Sequence, residues 1–280
     1  QYAKALVYMS RKQKSVKECW NTANSVKEIF DRFNQSETIA LQYAKALVYM
    51  SRKQKSVKER WNTANSVKEI FDRFNQSETI ALRYAFALGY LSVEQVNIEE
   101  RWNTVNSVKE IFDRFKQSED IASLYSIVLV NLSAIQENVE ERWNTANSVK
   151  QIVDCFNHSE TIALHYAMAL VNLSAKQENV EERLHTVNSV KQIVDRFNHS
   201  ETIALQYAMV LVNLSAIQEN VEDLLNTTNE IEQIFETFKH SESIALRYAM
   251  ALVNLSEKQE NVEERWNTAN SVKEIFDRFN

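Results

Sequence analysis

The chain has 280 residues, 44% of them apolar, and a formal net charge of −6 at pH 7. That apolar share is enough for a continuous core and excludes a disordered polar chain, while an acidic balance with interspersed Lys, Arg, Asp and Glu weighs against a nucleic-acid or anionic-membrane surface. A single glycine, Gly89, and no proline exclude β-hairpins and glycine-rich phosphate loops, which need positive φ, and leave an all-α chain.

Tyr2, Tyr43, Tyr84, Tyr125, Tyr166, Tyr207 and Tyr248 recur every 41 residues, and the first two copies differ only at Cys19 against Arg60. A period in this range marks a solenoid, in which each unit buries its apolar face against its neighbours. The expected fold is a right-handed α-α superhelix of seven helical-hairpin repeats in a single array over 1–280. The repeats are 1–41, 42–82, 83–123, 124–164, 165–205, 206–246 and a shortened 247–280.

The second repeat, with the segment before it, illustrates the elements. Ser36 is a good N-cap, and Glu37 favours a helix start. Ile39, Ala40, Tyr43, Ala44, Ala46, Leu47 and Met50 form a wide apolar stripe, which predicts helix A over Glu37–Lys53. Ser56-Val57-Lys58-Glu59 reads as a capping box and opens helix B. Later repeats write the same start as Asn138-Val139-Glu140-Glu141 and Asn179-Val180-Glu181-Glu182. Val57, Trp61, Ala64, Val67, Ile70, Phe71 and Phe74 are expected inward, with Glu69–Arg73 and Lys68–Asp72 as outer i,i+4 pairs. Asn65-Ser66-Val67-Lys68-Glu69 offers a second capping box inside helix B, so that helix either runs through or breaks in two. The in-phase apolar spacing, with no Gly or Pro to enforce a break, favours one helix.

Comparing the copies separates rows that every repeat keeps from rows that change. In helix A the first variable row reads Gln1, Gln42, Arg83, Leu124, His165, Gln206, Arg247. The second reads Lys4, Lys45, Phe86, Ile127, Met168, Met209, Met250. The third reads Tyr8, Tyr49, Tyr90, Asn131, Asn172, Asn213, Asn254. Spacings of three and four put them on one helical face. Stacked repeats would present them as ladders along a binding groove, with Asn to pair a peptide backbone and Met for adaptable apolar pockets. The opposite expectation is that the Met and Phe row is inter-repeat core and the Asn row a solvated edge.

The stretch Ala167-Met168-Ala169-Leu170-Val171-Asn172-Leu173-Ser174-Ala175 resembles the last helix of an armadillo repeat, which ends in a Trp-Ala-Leu-x-Asn-Leu-Ala pattern. Ser148-Val149-Lys150-Gln151-Ile152-Val153-Asp154-Cys155-Phe156 resembles that family's middle helix. A HEAT-like or lengthened tetratricopeptide-like two-helix unit fits a continuous helix B equally. The armadillo resemblance implies that Asn131, Asn172, Asn213 and Asn254 clamp the backbone of an extended peptide. Ile127, Met168, Met209 and Met250 then stand where the family has Trp.

Catalytic and metal chemistry find no support. His158, His199 and His240 share one row a repeat apart, about 10 Å, too far to share a metal at about 2 Å per bond. No Ser, His and Asp set stands out from the surface pattern, and no cofactor is expected. The tryptophans (Trp20, Trp61, Trp102, Trp143, Trp266) exchange with Leu184 and Leu225 in one row, which predicts a core position. Cys19 and Cys155 sit at different places in the repeat and do not form a disulfide framework, which fits a reducing cytoplasm. No run is long enough to span a membrane. The expected function is a non-enzymatic scaffold that binds a protein or extended peptide in the helix A groove. The alternative is a structural or self-assembling array, natural or designed, whose ends lack a polar cap and stack end to end. Such ends also fit a piece of a longer array, and a start in mid-repeat fits a removed leader.

Overall fold

The computed structural model describes residues 1–279. Among them it holds fourteen α-helices and no strand. The A helices are α1 (Tyr2–Lys12), α3 (Glu37–Ser51), α5 (Glu78–Glu94), α7 (Glu119–Ser133), α9 (Glu160–Ser174), α11 (Glu201–Ser215) and α13 (Glu242–Lys258). The B helices are α2 (Val16–Arg32), α4 (Val57–Arg73), α6 (Ile98–Arg114), α8 (Val139–Cys155), α10 (Val180–Arg196), α12 (Val221–Thr237) and α14 (Val262–Arg278). This is an all-helical solenoid of seven hairpins, and no described helix is long and apolar enough to cross a membrane.

Helix B is continuous in every repeat. The Asn-Ser pair does not cap a second helix. Ser66 Oγ instead donates to the Asn62 carbonyl one turn back, 3.2 Å away, and Ser25, Ser107, Ser148 and Ser271 do the same in their repeats. Satisfied this way, the serine sits inside a helix without breaking it. Most starts follow the expected caps, Ser56 and Ser118 excepted. Ser36 accepts from the Ile39 amide, Asn138 accepts from Glu140 and Glu141, and the full capping box closes at Ser15 and Glu18. Ser56 makes no side-chain cap bond. Helix A stops at Ser51 rather than Lys53, where the Lys53 amide closes a tighter turn onto the Met50 carbonyl three residues back.

The B-to-A turns explain the missing glycine. Each closes from a Phe carbonyl to a Ser amide three residues on, as in Phe33–Ser36 (2.9 Å) and Phe74–Ser77 (2.9 Å). No described non-glycine residue has positive φ, so nothing in the repeat calls for the left-handed region that Gly supplies.

The chain divides into two compact units, residues 1–135 and residues from Gln136 on. Within each, successive A helices pack on one another, and each B helix packs on the following A helix. Ala40, Ala44, Ala46 and Leu47 are buried there. Phe30 meets Tyr43 at 5.6 Å between ring centroids, Phe71 meets Tyr84 at 5.7 Å and Phe235 meets Tyr248 at 5.7 Å. Among the described residues of each unit, the backbones of successive B helices do not touch. Arginines reach across near their C-terminal ends, Arg73 over the Phe30 ring at 5.9 Å, Arg114 over Phe71 at 5.3 Å and Arg278 over Phe235 at 4.9 Å. Arg73, expected to pair with Glu69, lies on this ring instead, while Lys68 does pair with Asp72 at 2.7 Å.

A buried polar brace recurs from repeat to repeat within each unit. Thr63, Thr104, Thr145, Thr186, Thr227 and Thr268 each donate to the side-chain carbonyl of the Gln nine residues earlier, at 2.9–3.0 Å. A buried Arg completes it. Arg142 Nε donates to the Gln136 carbonyl (2.5 Å), and a second guanidinium nitrogen reaches the Asn172 carbonyl on the next A helix. Arg60 reaches Tyr90, Arg101 reaches Asn131 and Arg183 reaches Asn213 in the same way. Gln136 is fully buried, and its amide nitrogen has no other partner. Thr145→Val therefore leaves the whole side-chain amide unpaired. Urea unfolding of this variant should show a loss of about 1–3 kcal/mol with an unchanged slope. A midpoint equal to the parent's would show that the pair contributes nothing.

Candidate partner-binding face

The three variable rows of helix A do lie on one face of each unit. Gln42, Lys45, Tyr49, Arg83, Phe86, Tyr90, Leu124, Ile127 and Asn131 are half-buried in the first unit. Gln206, Met209, Asn213, Arg247, Met168, Asn172 and Asn254 are half-buried in the second, where Met250 is more open. Gln1, Lys4 and Tyr8 on α1 are exposed. The Met and Phe row is thus neither sealed core nor fully solvated edge, and a ligand lying on this face would find its side chains accessible.

The Asn row and His165 have structural duties that the sequence did not announce. Asn131 Nδ2 donates to Ser92 Oγ of the preceding repeat (2.9 Å), Asn213 to Ser174 (2.7 Å) and Asn254 to Ser215 (2.8 Å). The backbone carbonyls of Asn131, Asn172 and Asn213 receive the brace arginines. The Asn row therefore ties repeats together, and the side-chain amides of Asn131, Asn213 and Asn254 each keep one N–H and the carbonyl for a further partner. His165 departs further from its row, being only 9% exposed, and burial pushes its pKa down to about 4.

The tryptophan row overturns its expected place in the core. Trp20, Trp61, Trp102, Trp143 and Trp266 are 41–68% exposed, and Leu184 and Leu225 in the same row are exposed as well. The reason is the residue immediately before. Arg60 is 7% exposed and turned inward with Thr63, Ala64 and Val67, and a helix cannot bury two successive side chains in the same direction. The guanidinium has carbonyls to meet inside, so the indole takes the outer position, in the gap between successive B helices. Trp20 lines a cleft of about 810 Å³ between α2 and α4, floored by Tyr43, Leu47 and Met50 of α3. Trp61 lines its equivalent one repeat on, about 530 Å³, over Tyr84, Leu88 and Leu91 of α5. The internal comparison held the signal for the brace: Gln13, Ser10 and Thr22 recur unchanged in all seven copies. Hydropathy alone did not assign them an inward direction.

No group of His, Cys, Asp and Glu suited to a metal ion occurs among the described residues. Cys19 is buried and Cys155 exposed, and both are free.

No protein-family model matches this chain, and no curated protein matches it. One solved structure, described as "Computational Design of Self-Assembling Cyclic Protein Homooligomers", aligns over 99% of this chain and 88% of its own, at 11% identity and a TM-score of 0.15. A likeness that slight carries no argument about the present fold.

His165 provides a pH test of the face. Its folded pKa lies below the unfolded value of about 6.5, so the folded chain stays neutral there while the unfolded chain takes up a proton. Stability from this group is complete above about pH 6.5 and is lost as pH falls toward 4, by about 3 kcal/mol in all. Gln206 occupies the same row, so His165→Gln suits the fold. Urea melts between pH 7 and 4 should show the variant losing less stability than the parent; parallel losses would place the histidine in water.

Proposed function

We propose that the chain is a non-enzymatic scaffold that holds an extended segment of another protein along the A face of its repeats. The observation that carries this reading is the division of rows within each repeat. The Ser, Gln and Thr rows of the buried brace stay constant, while the rows on the half-open face change from copy to copy. A rigid frame with variable surface positions is what a repeat protein needs to read a ligand. The unbroken helix B favours a two-helix unit of HEAT or tetratricopeptide type over a three-helix armadillo unit. The remaining N–H and carbonyl of the Asn amides would pair with the ligand backbone, and Met168 and Met209 would contact its side chains.

The test uses peptides selected from a random library against the parent chain, then measured against Met168→Lys with Met209→Lys. Lys4 and Lys45 occupy this row in the first two repeats, so the exchange suits the fold and melting should change little. Affinity should fall about tenfold or more. Selected peptides that bind the double variant as tightly as the parent would move the site off this face, with the Trp-lined clefts as the next place to map.

A self-assembling array is the second reading, favoured by charge. Residues 1–135 carry 20 Lys and Arg against 15 Asp and Glu, and residues 136–280 carry 12 against 23. Opposite charges of +5 and −11 would attract copies head to tail. On this reading the mass from light scattering grows with protein concentration at about 50 mM salt and falls back at about 500 mM. A monomer mass at every concentration in low salt excludes it.

A further inference from the structure

Cations on the two layers of the first unit are treated differently. On the B helices, Lys27, Lys68 and Lys109 each lie 2.5–2.7 Å from the Asp four residues on. On the A face, Lys4, Lys45 and Arg83 make no ion pair among the described residues. They are also close enough to repel one another. Burial, then the charges of Arg83 and Lys4, hold the Lys45 ammonium below the usual lysine range. Burial likewise lowers Arg83, against the opposing through-space influence of Tyr49 and Asp120. The Arg83 guanidinium lies 5.6 Å from the centre of the Phe86 ring, and its Nε is buried with no hydrogen-bond partner. Tyr8 and Tyr49 follow Lys4 and Lys45 by one helical turn, Tyr90 follows Arg83 by two, and Lys12 lies 5.0 Å over the Tyr8 ring.

Gathering like charges in a partly desolvated place costs stability unless an anion joins them. From this we infer that the A face of the first unit takes an acidic extended peptide, whose carboxylates meet Lys4, Lys45 and Arg83 while its backbone runs past the tyrosine row. The inference rests on the scaffold reading above and specifies its ligand. Three features fit this occupant. The excess of 20 cations over 15 anions in residues 1–135 supplies the complementary charge. Packed helices lie about 10 Å apart and an extended chain advances about 3.3 Å per residue, so an acidic side chain at every third position keeps step with the repeats. The tyrosines one turn along from Lys4 and Lys45, and Phe86 under Arg83, give the intervening residues apolar surface to lie on.

The experiment measures fluorescence anisotropy of two labelled peptides, one repeating Glu-Ala-Ser four times and the other Gln-Ala-Ser four times. Each is titrated with the full chain and with its Lys45→Gln, Arg83→Gln variant. The Glu peptide should bind the parent about tenfold more tightly than the Gln peptide. That advantage should vanish in the variant and shrink between about 50 and 500 mM salt. Thermal melting should show the variant at least as stable as the parent, since it removes repulsion. Equal affinity for the two peptides, or no binding of either, overturns the inference. If library-selected peptides still depend on the Met168 and Met209 rows, the scaffold reading survives that failure. A Glu preference that persists in the variant places the anion site elsewhere and overturns it too. So does tighter, variant-sensitive binding of a uridine oligomer of equal charge, which would make the ligand RNA. Loss of self-association in the variant would instead make the acidic half of a second copy the occupant.

Discussion

The arrangement depends on one buried polar contact, an arginine on helix B that donates both to its own repeat and to the next. An isolated guanidinium in a core is prohibitive, so Arg60, Arg101, Arg142 and Arg183 are tolerable because carbonyls meet them at two levels of the stack, with the Glu94 carboxylate added for Arg60 at 3.2 Å. One set belongs to Gln54, Gln95, Gln136 and Gln177 just before the same helix B. The other belongs to Tyr90, Asn131, Asn172 and Asn213 on the following helix A. Hydrogen bonds are directional where apolar packing is not. The arginine therefore fixes the offset between repeats more narrowly than the Ala and Leu faces do by themselves. Where the row carries Cys19, the thiol turns to the Ser10 carbonyl at 3.9 Å, a contact within one repeat that does nothing to join it to the next. Leu224 likewise leaves the sixth repeat to its Thr227–Gln218 bond.

That brace decides which surfaces remain available. It draws the arginine inward and so expels the neighbouring tryptophan. It also occupies the carbonyl end of the Asn and Tyr row and leaves those side chains at the edge of the A face. The B helices, joined near their ends by arginine over phenylalanine, need no backbone contact with each other. Each unit consequently has a closed layer of A helices and an open layer of B helices. The exposed lysine–aspartate pairs on the B side are the kind that add little stability; their main effect is to neutralise the outer surface. Uncompensated charge is left on the A side, where the rows vary.

Much of this was legible in the residues. Period, caps and apolar spacing gave the hairpins, the unbroken helix B and the buried stripe of Ala40, Tyr43, Ala44 and Leu47. What hydropathy misread was the pair Arg60 and Trp61, because it ranks the indole inside and the guanidinium outside. The actual order follows from hydrogen-bond partners on another repeat, which a local pattern does not contain. The same limit applies to the Asn row, whose bonds run to serines 39 residues earlier, and to His165, which the variable row placed on the surface and packing buried. The constancy of Gln, Ser and Thr through all seven copies was the trace of these contacts. Small polar residues kept without exception in a helical repeat are better read as buried braces than as surface filler.

On the proposed scaffold reading, the order along the A face acquires a physical meaning: Lys4 and Lys45 stand with three tyrosines at one end, Met168, Met209 and Met250 with four asparagines at the other. The first set would favour a charged ligand segment, because neither lysine has an ion-pair partner among the described residues. The second favours an uncharged one, since methionine and asparagine offer shape and hydrogen bonds but no net field. A ligand matched to the whole chain would thus be amphipathic along its length, with acidic residues confined to the part over the first unit. An unpatterned ligand would engage one unit and gain nothing from the other, because linked sites add affinity only when both can be filled at once.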